Sequence, residues 1–402
     1  MTRQTPSRVD LESRINVLFV MIHMNMGGTE RLIFNLVRHL DRRIFAPSVA
    51  WFVEDRPLPE FEALNVPLFH VPKRDRIDWR AMRHLARIIR EHRIDIVNAH
   101  HFMPFVYSYY GARIANRAGL VYTEHSEADV LRVPRKWQVI GRQMLRTSHG
   151  AIGISPKVTE VLTQHFAVSP SSVRTIENGI DVEMFSANAD ERARVRKECA
   201  FPLRKVVIGL VANFRRNKNH MFLLKAFHEI VRTHDDVTLV FVGQGFAGDP
   251  ENSEPEISEY IAQHQLGDRV WLTGYRPDVQ QLLRALDVFC LVSYKEGLPL
   301  SLIEAMASGL PVIGTDIDAI RNVVREGVNG LLVQPDDVPQ LARALTQLVE
   351  RADIRQKMGE ESQRLARGKY SLTRCIDDTR EAFLSISPRR ADTLEARQSS
   401  VA

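Results

Sequence analysis

The chain has 402 residues, of which 44% are hydrophobic and 26% are charged, and its formal net charge is +5. These values are typical of a globular protein, and the length favours two domains over one. No run of about 18 apolar residues occurs, so no membrane span is predicted. The three cysteines lie too far apart in the sequence for a metal motif or a disulfide framework, which favours a cytoplasmic location.

The positive charge is concentrated in the first half. Residues 1–185 carry 25 Lys and Arg against 19 Asp and Glu, a net charge of +6. The remaining residues carry 29 against 30, a net charge of −1. The two halves are therefore predicted to meet different partners.

Apolar strand-like segments alternate with helical segments along most of the chain. INVLFVMIHMNMGGTERLIFNLVRHL opens the first half with a strand, a Gly-Gly loop and a helix, and VVIGLVANFRRNKNHMFLLKAFHEIV opens the second half in the same order. Further strands are predicted at APSVAWFV, IDIVNAH, GLVYTEH and GAIGIS, and then at VTLVFVG, RVWLTG, DVFCLVS and PVIGT. Apolar strands without alternation indicate sheets covered on both faces. The pattern predicts an α/β protein with two Rossmann-like, doubly wound parallel sheets.

The turn and polar stretch NGIDVEMFSANADE separates the two halves. We therefore predict an N-terminal domain over 1–185 and a C-terminal domain over 186–370. A last helix is predicted over 371–387, with Ser371 as its N-cap, crossing back to the N-terminal domain. The polar tail at 388–402 is predicted to be disordered.

Ligands of parallel α/β sheets bind beyond the carboxyl ends of the strands. Candidate binding loops therefore follow eight residues: Ile22, His100, His125, Asn213, Gly243, Gly274, Ser293 and Thr315. In the first of these loops, Gly27 and Gly28 would let a ligand approach the backbone beside a helix N-terminus. A tight strand-to-helix turn explains the same two glycines equally well.

Two loops of the second half are candidate phosphate-binding sites, and the sequence favours the second of them. GQGFAG matches G-x-G-x-x-G, but DPENSEP separates it from the next helix, which disfavours a dinucleotide-binding turn. NFRRNKNH places Arg215, Arg216 and Lys218 after a strand, where cations suit a phosphate or a diphosphate. The alternative is a solvated basic loop.

YKEGLPLSLIEAM places Glu296 and Glu304 on either side of a loop-to-helix junction. Ser301 and Glu304 have capping-box spacing, which gives Glu304 a structural explanation compatible with a ligand role. Glu296 has no such explanation, and its carboxylate can accept hydrogen bonds from neutral hydroxyls. With the N–H groups from Gly297 to Leu300 between the two acids, the stretch predicts a site for a sugar–diphosphate–ribose ligand.

This stretch resembles the E-x7-E motif of glycosyltransferase family 4. GGTERL, YTEHS, TIENGIDVEMF and REGVNGLLV agree with the same family, and the resemblance runs from about residue 15 to about residue 385. It implies the GT-B fold, with two domains facing each other across a cleft. It also implies a retaining transfer of a sugar from a nucleotide-sugar donor to a glycan or lipid-linked acceptor, in cell-surface polysaccharide or glycolipid synthesis.

The resemblance also assigns roles by position. His125, Lys218 and Glu296 are the implied catalytic residues: His125 touches the donor sugar, Lys218 neutralises the leaving diphosphate and Glu296 holds sugar hydroxyls. Glu304 is expected to hold the ribose and Gly28 to lie against the phosphates. The implied donor-binding set comprises Gly27, Gly28, Asn213, Arg215, Arg216, Lys218, Tyr275, Gly297, Leu298, Pro299, Leu300 and Glu304.

The chain departs from the family pattern at two positions. Asn213 stands where the family usually has an arginine, so Arg215 or Arg216 is expected to replace it, and Asn322 stands where a glutamate is usual. A D-x-D pair in a loop of the expected kind occurs at Asp316 and Asp318. We expect no metal ion and no other cofactor.

Two rival functions share this plan: a nucleotide-sugar epimerase of GT-B-like fold, and a nucleotide-sugar-binding protein without transfer activity. No nucleic-acid partner is predicted. Basic helices at WRAMRHLARIIREHR and PRKWQVIGRQMLRT have either solvated faces or a role on an anionic membrane. In the second helix, Trp137, Ile140, Met144 and Leu145 form the predicted apolar face. A role on an anionic membrane would place the protein peripherally on the inner face of the cytoplasmic membrane.

Overall fold

The computed structural model describes residues 14–386 except 26, 75–76, 117, 187–188, 200, 202–205 and 247. Its contacts divide the chain into two units, one formed by residues up to Gly179 together with those from Thr373 on, the other by Ile180–Leu372. The division falls inside NGIDVEMFSANADE and six residues before the predicted end of the first domain. The tail predicted at 388–402 lies outside the described residues.

The first unit is a parallel sheet wound with helices. Its strands are β1 (Ile15–Met21), β2 (Phe45–Trp51), β3 (Leu68–His70), β4 (Ile96–His100), β5 (Gly119–Glu124), β6 (Ala151–Gly153) and β7 (Val173–Thr175). Its helices are α1 (Gly28–His39), α2 (Pro59–Glu62), α3 (Trp79–Glu91), α4 (Phe102–Tyr109), α5 (Glu127–Leu131), α6 (Arg135–Thr147) and α7 (Pro156–Phe166). The strands pair in the order β3-β2-β1-β4-β5-β6-β7, all parallel.

The second unit repeats the plan. Its strands are β8 (Val206–Val211), β9 (Val237–Val242), β10 (Val270–Leu272), β11 (Val288–Leu291), β12 (Val312–Thr315) and β13 (Gly330–Val333), in the parallel order β10-β9-β8-β11-β12-β13. Its helices are α8 (Ala189–Glu198), α9 (His220–Ile230), α10 (Glu254–Gln263), α11 (Val279–Ala285), α12 (Leu300–Ala307), α13 (Asp318–Arg321), α14 (Val338–Glu350) and α15 (Ala352–Lys369).

The prediction of two doubly wound parallel sheets is confirmed. Every residue of β4, β5 and β9 is buried, as continuous apolar strands require when helices cover both faces. The sequence analysis missed β3, β7 and β13, which have three or four residues each and include partly exposed or exposed positions. Strands this short carry little apolar signal.

The last helix, α16, spans Leu372–Ile386 and closely matches the predicted range. Its residues from Thr373 group with the first unit, where Phe383 is fully buried. The ring of Phe383 lies 6.0 Å from that of Phe19 on β1 and 6.2 Å from that of Phe45 on β2. The end of the chain therefore supplies part of the core beneath the first two strands.

Among the described residues, we found no helix that combines the length and the apolar character needed to cross a membrane.

Candidate active site

In both units the predicted loops follow the carboxyl ends of the strands. In the second unit, β8 pairs directly with β11, so the loops after these strands are neighbours. The first loop contains Asn213 to Asn219 and the second leads from Ser293 to the start of α12. Three hydrogen bonds join or brace them: Tyr294 N–H to Asn217 O, 2.9 Å; Asn217 Nδ2 to Lys295 O, 3.0 Å; and Asn219 Nδ2 to Asp336 Oδ1, 2.9 Å.

These loops bring Lys218 and Glu296 together. Lys218 Nζ donates to Glu296 Oε1 at 2.7 Å, although 78 positions separate the residues in the sequence. The lysine side chain is 26% exposed and the glutamate side chain 9% exposed, so the pair is partly shielded from solvent yet reachable from it. Removing either member of such a partly buried pair leaves the charge of the other member uncompensated.

Asn219 and Asp336 hold the lysine loop in place, and the sequence analysis missed both. Asn219 has φ of +52° and Asp336 has φ of +64°, a left-handed conformation that asparagine and aspartate tolerate better than most residues. Tyr294 Oη also donates to Asp336, at 2.8 Å. The sequence signal that could have revealed this brace is the pair Asn217 and Asn219 flanking Lys218.

The expected capping box at Ser301 and Glu304 is wrong. Helix α12 begins at Leu300, with Pro299 at the N-cap position and no side-chain cap, so Glu304 lies beyond the first turn. Glu304 is buried, with 6% exposure. Its assignment to the ribose stays a prediction, and the capping explanation for it is removed.

The prediction that the N–H groups from Gly297 to Leu300 all face a ligand is also wrong in part. Pro299 has no N–H, and Leu300 N–H donates to Leu298 O at 2.9 Å. The amides of Gly297 and Leu298 remain, and the described residues supply no acceptor for either. The two residues directly after Glu296 in the sequence therefore offer backbone donors.

Arg215 and Arg216 lie on the other side of the lysine loop. Arg215 Nε donates to Asp249 Oδ2 at 2.9 Å, and Arg216 pairs with Glu256. Both carboxylates follow β9, which flanks β8 on the side away from β11. In this structure both arginines pair with these carboxylates, and their role toward the donor diphosphate stays a prediction. Asn213 is exposed, between β8 and these arginines.

Tyr275 is 67% exposed in the loop after β10, at the far edge of the sheet. Strands β9 and β8 separate that edge from β11. The structure does not bring Tyr275 to Glu296.

The loop GQGFAG is not a dinucleotide-binding turn. The next helix, α10, begins only at Glu254, and the Glu254 carboxylate accepts from Gly245 N–H at 2.7 Å. Gly243 has φ of +145°, and a Cβ there would lie 2.0 Å from Ala212 O. Packing against the neighbouring loop explains this glycine.

The D-x-D pair is held by Arg321. Arg321 Nε donates to Asp316 Oδ1 at 2.7 Å, and Arg321 Nη1 donates to Asp318 Oδ1 at 3.1 Å. The hydrogen bond from Arg321 lowers the pKa of Asp316. One guanidinium thus pairs with both carboxylates, and the absence of a metal ion stays a prediction.

In the first unit, Gly27 precedes α1 and Gly28 is its first residue. Gly27 N–H donates to Glu30 Oε2 at 3.1 Å, and burial raises the pKa of Glu30. Among the described residues, no atom outside the adjoining backbone lies within 4 Å of a Cβ built on Gly28. The protein's own packing therefore does not require glycine there.

His125 follows β5 and is buried, with 8% exposure. Its Nε2 lies 2.8 Å from Nδ1 of His100, which ends β4. Burial lowers the pKa of His100 to about 3 and lowers that of His125 well below its usual value, so both rings are neutral. The histidine predicted from the sequence is thus one half of a neutral imidazole pair.

A second cluster lies beside this pair and was missed in the sequence. His101 Nδ1 lies 3.0 Å from Glu124 Oε1, and His101 Nε2 lies 3.0 Å from the Thr29 hydroxyl. His101, Glu124 and Asp129 offer ligand-type atoms within 4.8 Å of one another. The available signal was His100-His101 and Glu124-His125 at the ends of adjacent strands.

Comparison with known proteins identifies the family of the chain. The family model described as "Glycosyltransferase Family 4" matches residues 26–184, and "Glycosyl transferases group 1" matches residues 191–365. "Putative glycosyltransferase EpsF" of Bacillus subtilis (strain 168) is 30% identical over 318 residues, covering 76% of this chain and 80% of that protein.

Two further proteins are similar over most of their length. "UDP-Gal:alpha-D-GlcNAc-diphosphoundecaprenol alpha-1,3-galactosyltransferase" of Escherichia coli is 25% identical over 349 residues, covering 84% of this chain and 89% of that enzyme. The crystal structure of Anabaena Alr3699/HepE in complex with UDP and glucose superposes with a TM-score of 0.79 at 19% identity, covering 92% of this chain and 99% of that one. Each unit has the Rossmann-like fold expected of GT-B proteins, and the chain belongs to glycosyltransferase family 4.

Proposed function

We propose that this protein transfers a sugar from a nucleotide-sugar donor to a glycan or lipid-linked acceptor, with retention of anomeric configuration and without a metal ion. The observation that carries the proposal is the Lys218–Glu296 pair at the carboxyl edge of the second unit's sheet. The two side chains offer the two chemistries that a nucleotide sugar needs, a cation for the diphosphate and a carboxylate for sugar hydroxyls.

Breaking a sugar–phosphate bond builds negative charge on the departing diphosphate and positive charge on the sugar. Lys218 would stabilise the diphosphate, and the amides of Gly297 and Leu298 would add two hydrogen bonds at the same place. In this structure Glu296 accepts from Lys218. With donor bound, the phosphate oxygens take over part of that lysine's hydrogen bonding and Glu296 turns to the sugar hydroxyls.

The names of relatives support this choice of donor and acceptor. The Escherichia coli relative is named for a UDP-sugar donor and a diphosphoundecaprenol-linked acceptor, and the Anabaena structure contains UDP and glucose. We infer that the donor here is a nucleoside diphosphate sugar and that the acceptor is a lipid-linked saccharide or another glycan of cell-surface polysaccharide or glycolipid synthesis.

The experiment is a transfer assay with purified protein, after a thermal-shift screen of nucleotide sugars has identified the donor. A ligand that binds only the folded state raises the unfolding temperature. Transfer to a lipid-linked acceptor supports the proposal. Donor isomerisation without acceptor would instead indicate an epimerase, and binding without turnover would indicate a binding protein.

Transfer is expected to survive EDTA, and the product is expected to keep the anomeric configuration of the donor. The D-x-D carboxylates are held by Arg321, and the charge stabilisation assigned to Lys218 needs no divalent ion. Proton NMR coupling constants measured early in the reaction report the configuration. An inverted product, or activity that EDTA removes and Mg²⁺ or Mn²⁺ restores, would contradict this mechanism.

We further propose that the first unit associates with the inner face of the cytoplasmic membrane. On α3, Arg80, Arg83, Arg87 and Arg90 are all exposed, while Met82, Leu85, Ile88 and Ile89 are buried. Basic residues on an exposed helix face contribute about 1 kcal/mol each near an anionic surface. Trp79, at the start of the same helix, is 59% exposed, and tryptophan suits the headgroup region.

Helix α6 also supports membrane association, because an apolar residue predicted to lie on its apolar face is exposed. Ile140, expected on the apolar face, is exposed, and so is Val139 at 71%. Arg135 and Arg142 of this helix are exposed as well. An exposed apolar pair flanked by cations suits insertion between lipid headgroups.

Sedimentation with vesicles at low salt is expected to show binding that requires anionic lipid and weakens as salt is raised. Replacing the four α3 arginines by glutamine should weaken this binding and leave donor binding unchanged. The matched control makes the same charge change on exposed arginines of the second unit: Arg194, Arg232, Arg343 and Arg364. Equal sedimentation with anionic and neutral vesicles would contradict membrane association.

A further inference from the structure

Three side chains of the first unit form a hydrogen-bonded row that the mechanism above does not use. Glu124 ends β5, His101 follows β4, and Thr29 lies in the first turn of α1. The row runs from Glu124 Oε1 through both ring nitrogens of His101 to the hydroxyl of Thr29, with a distance of 3.0 Å at each step. Glu124 is fully buried and Thr29 is partly exposed, so the row leads from the interior to the surface.

The hydrogen bonds of Glu124 fix the direction of donation at the buried end. Its carboxylate accepts from Tyr122 Oη at 2.5 Å and from the backbone N–H groups of His125 at 2.7 Å and Ser126 at 3.2 Å. Since backbone N–H groups only donate, Glu124 Oε1 is a hydrogen-bond acceptor. His101 Nδ1 therefore carries a proton and donates it to Glu124.

Whether Nε2, the second ring nitrogen of His101, carries a proton determines whether the Thr29 hydroxyl can donate to a ligand. If His101 is neutral, Nε2 accepts from the Thr29 hydroxyl, whose hydrogen then points inward. If His101 is charged, Nε2–H donates to Thr29 Oγ1, and the hydroxyl hydrogen is free to point toward a ligand. The charge on His101 thus sets whether Thr29 presents a donor.

The groups around His101 favour its charged form. Carboxylates face it from three elements: Glu30 on α1, Glu124 on β5 and Asp129 on α5, whose Oδ2 lies 3.9 Å from His101 Nδ1. The imidazoles of His100 and His125 also face it, and both are neutral. Burial opposes the charge, but the hydrogen bond and the three carboxylates together raise the pKa of His101.

The backbone at His101 is also unusual. Its φ is +72° and its ψ is +161°, a combination that residues other than glycine seldom adopt. His101 N–H donates to Thr123 O at 2.9 Å, which anchors the residue to the adjacent strand. Strained positions of this kind gather at functional sites.

We propose that Glu124 and His101 position the Thr29 hydroxyl as an outward hydrogen-bond donor to a phosphoryl oxygen of a substrate. Thr29 touches the substrate, and the other two are positioning residues. The ligand class follows from two features. An imidazolium lies behind the hydroxyl donor, and at the adjacent Gly28 no atom of the described residues beyond the adjoining backbone fills the space of a side chain. The inference rests on the proposed function, because the phosphoryl group belongs either to the nucleotide-sugar donor or to a diphosphate-linked acceptor.

The test measures kcat/KM against pH for wild type, Thr29→Val, Thr29→Ser and His101→Gln, varying donor and acceptor separately. Because the charged form is the active one, wild-type kcat/KM should be full below the pKa of His101 and fall as pH rises through it. Thr29→Val should lower kcat/KM about tenfold at low pH and abolish this pH dependence. Thr29→Ser should restore both, and His101→Gln should remove the pH dependence.

The substrate whose KM rises in Thr29→Val identifies the phosphoryl group. Thr163→Val is the control, because its hydroxyl donates only within its own helix, to Thr159 O at 2.7 Å. Circular dichroism confirms that each variant is folded. A folded Thr29→Val enzyme with wild-type KM for both substrates and an unchanged pH profile overturns the proposal.

An NMR titration, which needs no sugar transfer, tests this inference independently of the proposed function. NMR titration of ¹⁵N-labelled histidine should give His101 a pKa above 6.5, and UDP or undecaprenyl diphosphate should raise it further in wild type but not in Thr29→Val. If wild type transfers no sugar and this shift is present, the proposed function fails and the site for a phosphoryl group stands. If neither compound shifts the pKa, the site is wrong whatever the activity.

Discussion

Replacing Lys218 by alanine is expected to lower kcat at least about a hundredfold with the donor saturating. The lysine is the cation that the structure places beside Glu296, and its loss removes stabilisation of the charge that develops on the leaving diphosphate. The KM for the donor should rise as well, because Glu296 would then present an uncompensated negative charge to the phosphates. Steady-state kinetics over a range of donor concentrations separates the two effects.

Lys218→Arg should recover part of the activity, since it keeps the charge but changes the geometry of donation. Lys225→Ala serves as the matched control, because this lysine is exposed on α9. Turnover of folded Lys218→Ala close to that of wild type would rule out Lys218 as the group that stabilises the diphosphate.

Replacing Glu296 by glutamine is expected to separate catalysis from nucleotide affinity. The amide keeps the shape of the side chain but lacks the charge that orients sugar hydroxyls, so kcat should fall at least about a hundredfold. Binding of the free nucleoside diphosphate should stay equal or become tighter, because Lys218 no longer shares its charge with a carboxylate. Isothermal titration and transfer kinetics on the same preparation measure the two quantities.

The stability of Glu296→Gln should fall by at most about 1.5–3 kcal/mol, since the hydrogen bond from Lys218 loses its charged acceptor. Glu229→Gln, an exposed change on α9, is the control for the chemical substitution itself. If Glu296→Gln unfolds the protein yet leaves activity per folded molecule intact, Glu296 is structural and the assigned role is wrong.

Sequence reasoning predicted the fold because the strands that matter are long and apolar. β1, β4, β8 and β9 have five to seven residues each and are almost entirely buried, so their composition alone indicates a sheet covered on both faces. Strands β3, β7 and β13 lie at sheet edges and were missed, because edge strands of three or four residues bury too little to leave a pattern. Strand ends were predicted well enough to locate the binding loops.

The partners of the site residues could not be predicted in the same way. Lys218 and Glu296 meet because β8 and β11 are neighbours in the sheet, and strand order is not visible in composition. Arg215 and Arg216 had the right charge and the right loop, but Asp249 and Glu256 hold them on the β9 side. The capping box failed because Pro299 occupies the N-cap position, one residue before the first helical turn.

The position of α16 has a consequence for how the protein is made. Most residues of the first unit leave the ribosome before the second unit, but Phe383, which fills the space beside Phe19 and Phe45, is translated after it. A domain that must wait for its final hydrophobic element exposes an apolar surface under its first two strands throughout synthesis. The nascent first unit therefore completes its core only after translation of the second unit, so a truncation before Phe383 would damage the part that was synthesised first.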